Sequence, residues 1–284
     1  MSAIIDMDYV VNNICEKENL VLEGKLGQGA FKKVYKVKSN DKYYALKIIP
    51  NCSPRTKRET DFLKKFCHPN IAYLFKSDKY TKNNKVYDYV IEEYLEGGTL
   101  TDFIEAKGNL NNELTLCLGT ILLEIISYIW EFRLVHRDIK PDNIILRKKN
   151  SFEPVLTDFG IARNLLDTSY TQSWLNRGPG TPYFASPEQL NNEKRSIDWR
   201  SDQFSVGVLI SLTRFNKHPY QFNEPLYSNK TVNRVAIRGT RNNNTLIEFK
   251  KNDFDCLERM TRIFPRKRYQ NIQELINLWK NQGG

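Results

Sequence analysis

His136-Arg137-Asp138-Ile139-Lys140-Pro141-Asp142-Asn143 sets a carboxylate, an ammonium and an amide on one tight loop. A second carboxylate arrives with Asp158-Phe159-Gly160, fifteen positions after Asn143 and a short hairpin away. Asp138 is then a base, Lys140 a charge neutraliser, and Asn143 and Asp158 hard oxygen ligands for a metal. Such a set can move a phosphoryl group from Mg-ATP to a hydroxyl. Either tripeptide alone arises often by chance. The eight-residue string followed by Asp-Phe-Gly at that distance is far more specific.

Those groups need a scaffold. Leu22–Leu26, Lys33–Val37 and Tyr43–Ile49 alternate apolar and polar residues as half-buried strands do, and Asn40-Asp41 supplies a turn. Leu26-Gly27-Gln28-Gly29-Ala30-Phe31-Lys32-Lys33-Val34 lies between two of these strands, where glycines let backbone amides approach phosphates closely. Paired glycines are also common in plain hairpins. A helix is expected from Ser53, as N-cap before Pro54, with Glu59, Phe62, Leu63 and Phe66 on one face and His68-Pro69 as its stop. Beyond Gly97-Gly98 the pattern turns helical, at Leu114–Phe132, Asp202–Thr213, Phe254–Ile263 and Ile272–Asn281.

Taken together, these motifs resemble the eukaryotic-type (Hanks-type) serine/threonine protein kinase family over about residues 20–280. The resemblance implies an α+β, bilobal fold. Residues 1–19 form a leader, and the kinase domain runs over 20–284. Its small β-rich N-lobe spans about 20–93 with one inner helix, its hinge about 93–98, and its larger, mainly helical C-lobe about 99–284. It implies ATP as substrate nucleotide, with Mg2+, or Mn2+ in its place, on Asn143 and Asp158. Asp138 would orient the substrate hydroxyl and Lys140 would neutralise the γ-phosphate. Lys47, paired with Glu59, would hold the α- and β-phosphates, although an isolated strand lysine is usually just solvated. Leu26, Gly27, Gly29, Val34, Ala45, the Glu93 carbonyl, the Leu95 backbone and Ile145 would line the nucleotide. His136, Phe159, Leu63 and Leu74 would stack as a spine, Asp202 would anchor the catalytic loop, and Glu188 would pair with Arg268.

The resemblance has departures. Lys32 stands where the third glycine of the loop belongs, Ser186-Pro187-Glu188 replaces Ala-Pro-Glu, and only twelve positions separate Lys47 from Glu59. Glu92 falls where the family has an apolar or threonine residue. A carboxylate there needs a partner or a shifted pKa, unless the alignment is off by one. Control is expected between Asp158 and Glu188, where Thr168, Ser169, Tyr170, Thr171 and Ser173 precede Thr181. A phosphate on that segment could be clamped by Arg137 and Arg163; a polar exposed loop is the plainer reading. Two other functions stay open: a nucleotide-binding pseudokinase scaffold that regulates a partner protein, and a kinase acting on a small molecule or RNA.

Composition narrows the setting. The +10 net charge could steer the chain to nucleic acid, yet lysines are spread without a basic stripe among aromatics, so a solvated surface is favoured and no nucleic-acid partner is expected. Five cysteines without a Cys-x-x-Cys pair read as reduced thiols, and three dispersed histidines do not suit zinc. Ile121–Trp130 is apolar but broken by Glu124, and reads as a buried helix rather than a span. The N-terminus carries Asp6 and Asp8 and lacks a basic n-region. A cytoplasmic protein without a membrane partner is expected, and the resemblance implies protein substrates and a monomeric or transiently dimeric state.

Overall fold

In the computed structural model, residues 7–28, 32–50, 66–159, 163–164 and 181–282 are described, and the chain forms two compact units, Met1–Glu96 and Gly97–Gly284. In the first, the alternating segments become β1 (Val21–Gln28), β2 (Lys33–Ser39) and β3 (Lys42–Pro50). Asn40 and Asp41, both with left-handed φ (45° and 63°), close β2 onto β3 in the two-residue turn that such a hairpin favours. A second hairpin, β4 (Leu74–Lys82) and β5 (Lys85–Glu93), turns at Asn83-Asn84 in the same way. The sheet is antiparallel throughout, in the order β1-β2-β3-β5-β4.

Period-two alternation gives this sheet two different faces. Tyr35, Val37, Leu46, Ile48, Tyr87, Tyr89 and Ile91 form a buried face covered by Val10, Val11, Ile14 and Cys15 of α1 (Met7–Lys17). Each such side chain contributes about 1.5–3 kcal/mol by leaving water. Polar contacts tie the helix end down: Lys17 pairs with Asp78 at 2.9 Å, and Glu18 accepts from the Tyr89 hydroxyl at 2.5 Å and from Lys76 at 2.7 Å. The sequence reading sets 1–19 apart as a leader. The structure instead builds Met7–Lys17 into the core of the first unit, because without it the face around Leu46 and Tyr89 would be bare. The inner helix expected from Ser53, with Glu59 and Leu63, lies outside the described residues.

In the second unit, α2 (Leu100–Lys107) starts at a Thr99–Asp102 capping box, and α3 (Asn112–Glu131) is capped by Asn111. By length and composition α3 could cross a bilayer. Here it is a core helix whose Leu118, Leu122, Leu123, Ile125, Ile126 and Ile129 are fully buried. Gly119 is obligatory, since a Cβ would come within 2.2 Å of the Trp279 ring. Short strands follow: β6 (Leu134–Val135) pairs with β9 (Arg163–Asn164), and β7 (Ile144–Leu146) with β8 (Pro154–Leu156). Then come α4 (Thr181–Phe184), α5 (Pro187–Leu190), the buried α6 (Trp199–Phe215), α7 (Asn229–Ala236), α8 (Asn243–Lys251), α9 (Cys256–Met260) and α10 (Ile272–Lys280). The helix expected over Phe254–Ile263 is therefore only five residues long. Pro265, two residues past the expected end, has no N–H for the Thr261 carbonyl, which takes the Tyr220 hydroxyl at 2.6 Å instead.

Candidate active site

The loop after β6 is fixed from beneath by one buried carboxylate. Asp202 on α6 accepts the backbone N–H of His136 at 2.7 Å and of Arg137 at 2.8 Å, one on each oxygen. Arg137 is held at φ +70°, a conformation non-glycine residues rarely adopt, and these two bonds offset its strain. Burial pushes the Asp202 carboxyl up to about 7, while the two N–H donors pull the other way. From above, Gln189 of α5 donates to the Arg137 carbonyl at 3.0 Å, its own oxygen held by Ser186.

His136 is buried, and burial keeps its pKa low and its ring neutral. Its Nδ1 accepts the Asp138 N–H at 3.3 Å, which makes Nε2 the donor to the Thr157 carbonyl at 3.1 Å. Its ring meets Phe159 edge-on at 4.6 Å. The two chain segments bearing Asp138 and Asp158 are thereby tied through one imidazole.

Three polar groups then converge. The Lys140 ammonium lies 3.4 Å from Asp138 Oδ2. The Asn143 amide nitrogen donates to the Asp138 carbonyl at 2.7 Å and to the same Oδ2 at 3.0 Å. A single 3-10 turn, Pro141–Asn143, brings Asn143 back under Asp138, and Thr101 donates to Asp142 at 2.9 Å to brace it. The Asn143 carbonyl accepts both the N–H and the hydroxyl of Thr157, so Asp158, at φ +66°, leaves the chain directly beside this network.

Because the Asn143 nitrogen is committed to Asp138, its Oδ1 is the acceptor it has to offer. With the Asp158 carboxylate this is a hard-oxygen pair. Among the described residues no group of three or more His, Cys, Asp or Glu is gathered to cage an ion. Two hard oxygens, from Asn143 and Asp158, are a donor set that fits Mg2+, which binds to one or two protein carboxylates or amides and completes its shell with phosphates and water.

In the first unit the face opposite α1 carries the other candidates. Cross-strand partners share a face, and the register pairs Val34 with Lys47 and Lys47 with Val90, then Lys36 with Ala45 and Ala45 with Glu92. Val34, Ala45, Lys47, Val90 and Glu92 therefore lie together. Glu92, for which the sequence offers no partner, meets Lys47 diagonally across the two strands at 2.5 Å. The expected Lys47 partner, Glu59, lies outside the described residues, as does Gly29. Leu26 is exposed, Leu95 is buried, and the Glu93 N–H bonds to the Tyr73 carbonyl at 2.9 Å.

Gly97 and Gly98 are explained in the second unit. A Cβ on Gly97 would come within 2.5 Å of the Leu146 carbonyl, to which its N–H donates at 3.0 Å, and Gly98 sits at φ +77°. Ile145, between them and β8, pairs with Val155 and bridges to Thr99.

Glu188 and Arg268 meet in a buried fork, as the family resemblance implied. Burial alone would raise the Glu188 carboxyl, but the Arg268 guanidinium and the Ser201 hydroxyl hold it below the usual value. Thr168, Ser169, Tyr170, Thr171 and Ser173, and the side chains of Arg163 and Thr181, lie outside the described residues. Gln189 was missed in the sequence. Its signal was there: Ser186-x-x-Gln189 is a capping-box spacing, present in the structure at the start of α5.

Comparison with known proteins agrees with this geometry. A family model described as "Protein kinase domain" matches residues 20–279. Myosin light chain kinase A of Dictyostelium discoideum is 32% identical over 194 residues, covering 65% of this chain and 62% of the relative. The serine/threonine-protein kinase CLA4 of Candida albicans is 30% identical over 250 residues, covering 84% of this chain and 24% of the relative. The crystal structure of Rad53 1-466 in complex with AMP-PNP superposes with a TM-score of 0.73 at 25% identity, over 93% of this chain and 66% of that one. The matched segment is less than two thirds of the length of either curated relative.

Proposed function

The chain belongs to the protein kinase domain family, and from that premise we propose that it transfers the γ-phosphoryl group of Mg-ATP to serine and threonine hydroxyls of proteins. The observation that carries this reading is the convergence of Asp138, Lys140 and Asn143 on a loop locked by Asp202. Asp138 Oδ2, flanked by an ammonium and an amide, is a carboxylate poised to accept a hydrogen bond from an incoming hydroxyl. As the hydroxyl oxygen bonds to the γ-phosphorus, the bond to the β-phosphate oxygen breaks, ADP leaves, and the hydroxyl proton passes to Asp138 and on to solvent. Lys140 stabilises the negative charge on the transferring group. Lys47 binds the α- and β-phosphates.

Asn143 and Asp158 would hold Mg2+, or Mn2+ in its place. Held there, the ion would supply neutralisation of the phosphate charge. The acceptors include residues of the chain's own segment 168–173, phosphorylated by a second copy in a transient encounter. A cytoplasmic setting is supported by Cys15, Cys117 and Cys256, which stand as thiols.

The test is label transfer from γ-labelled Mg-ATP, using dephosphorylated Asp138→Ala protein as substrate for the wild type, with phosphopeptide mapping. Label on Thr168, Ser169, Thr171 or Ser173, abolished by chelating the metal, supports the reading. No label on any protein, with Mg-ATP still bound, would favour the scaffold reading instead.

A further inference from the structure

We propose that Glu92 is a positioning residue for Lys47, holding its ammonium from within the same sheet; the inference rests on the kinase reading above. Glu92 and Lys47 sit on adjacent strands whose pairing runs unbroken from Tyr44–Glu93 to Pro50–Tyr87. Their side chains are 13% and 10% exposed and meet at 2.5 Å. A charge pair so far out of water persists only when each partner compensates the other. The diagonal offset matters. Lys47 stands opposite Val90, two positions before Glu92, which faces Ala45, so its stem must lean along the sheet to reach the carboxylate.

Two consequences follow from the chemistry. An ammonium has three donors, so a bond to Glu92 does not by itself exhaust it. An anchor on the neighbouring strand also moves with the lysine, because both ride on one hydrogen-bonded sheet, whereas a carboxylate on a separate helix can shift independently. Glu92 thus contributes to Lys47 orientation whatever Glu59 adds. The carboxylate that looked anomalous in the sequence is an intra-sheet support for phosphate binding.

The test is a double-mutant cycle read by titration with Mg-ADP. Glu92→Gln keeps the shape and removes the charge. It is expected to weaken Mg-ADP binding about tenfold, the scale of one charge-assisted hydrogen bond. In a Lys47→Met background the same substitution is expected to change binding less than about twofold, since Glu92 acts through Lys47. Glu92→Met, of similar length, serves as the second variant if Glu92→Gln folds poorly, with thermal midpoints as the control. Unchanged binding by both Glu92 variants, or equal losses in the two backgrounds, would overturn the proposal. Phosphoryl transfer by the wild type is scored separately, so failure of the kinase reading registers there, while the titration still reports on Glu92.

Discussion

Arg268 and Glu188, eighty positions apart, face each other as a two-pronged fork, Nη1 to Oε1 at 2.7 Å and Nη2 to Oε2 at 2.9 Å, with neither side chain exposed. The remaining donors of Arg268 go to the carbonyls of Arg200, Arg262 and Ile263. Removing one partner strands the other charge in the core. Arg268→Ala is expected to cost about 3–5 kcal/mol in urea unfolding, and Glu188→Gln nearly as much. The double variant Glu188→Gln/Arg268→Met is expected to recover part of that loss. Additive losses would mean that the pair is not coupled.

His218 should make the fold acid-sensitive. Its Nδ1 accepts the Tyr220 N–H at 3.0 Å, which leaves Nε2 to donate to the Tyr183 carbonyl at 3.1 Å. Burial drives its pKa down to about 3. The unfolded chain takes a proton near pH 6.5 and the fold refuses it until about pH 3, so stability falls as pH drops through that window. Between pH 7 and pH 5 this one histidine accounts for about 2 kcal/mol. His218→Asn is expected to be less stable than wild type at pH 7, with the gap closing by about that amount at pH 5. Parallel curves in chemical denaturation would contradict it.

Asp202 tests whether the catalytic loop is held as described. Both of its oxygens accept backbone N–H groups, so Asp202→Asn turns an NH2 against one donor. A loss of about 1–3 kcal/mol is expected, together with a larger fractional loss of phosphoryl transfer than Arg268→Met shows at equal stability. Full transfer by a folded Asp202→Asn would mean that the loop keeps its shape without this anchor.

Ile14 on α1 is completely buried against the sheet. Ile14→Ala is expected to destabilise the chain by about 2–5 kcal/mol in urea unfolding. A change below about 0.5 kcal/mol, the scale of a surface substitution, would instead favour reading residues 1–19 as a leader apart from the core.

Local patterns were readable where neighbours in sequence decide the outcome. Alternation over 22–49 places three strands, and Asn40-Asp41 tolerates the left-handed turn that joins two of them. The motif around Asp138 names the groups that converge there. Contacts set by long-range register were not readable. Glu92 lies forty-five positions from Lys47, and only the pairing of β3 with β5 reveals that they touch. The end of α9 was misjudged because periodicity does not show that the Thr261 carbonyl goes to the distant Tyr220 hydroxyl, with Pro265 unable to donate to it. The helix at 7–17 was visible as a segment, but its role depends on an apolar sheet face assembled from residues 35–91.

The most direct measurement is the intact mass of dephosphorylated wild type and Asp138→Ala after incubation with Mg-ATP. Mass gains in steps of about 80 Da per phosphate in the wild type alone are the predicted result. Equal masses before and after in the wild type, with the protein folded and Mg-ATP bound, would contradict phosphoryl transfer by the Asp138–Lys140–Asn143 site.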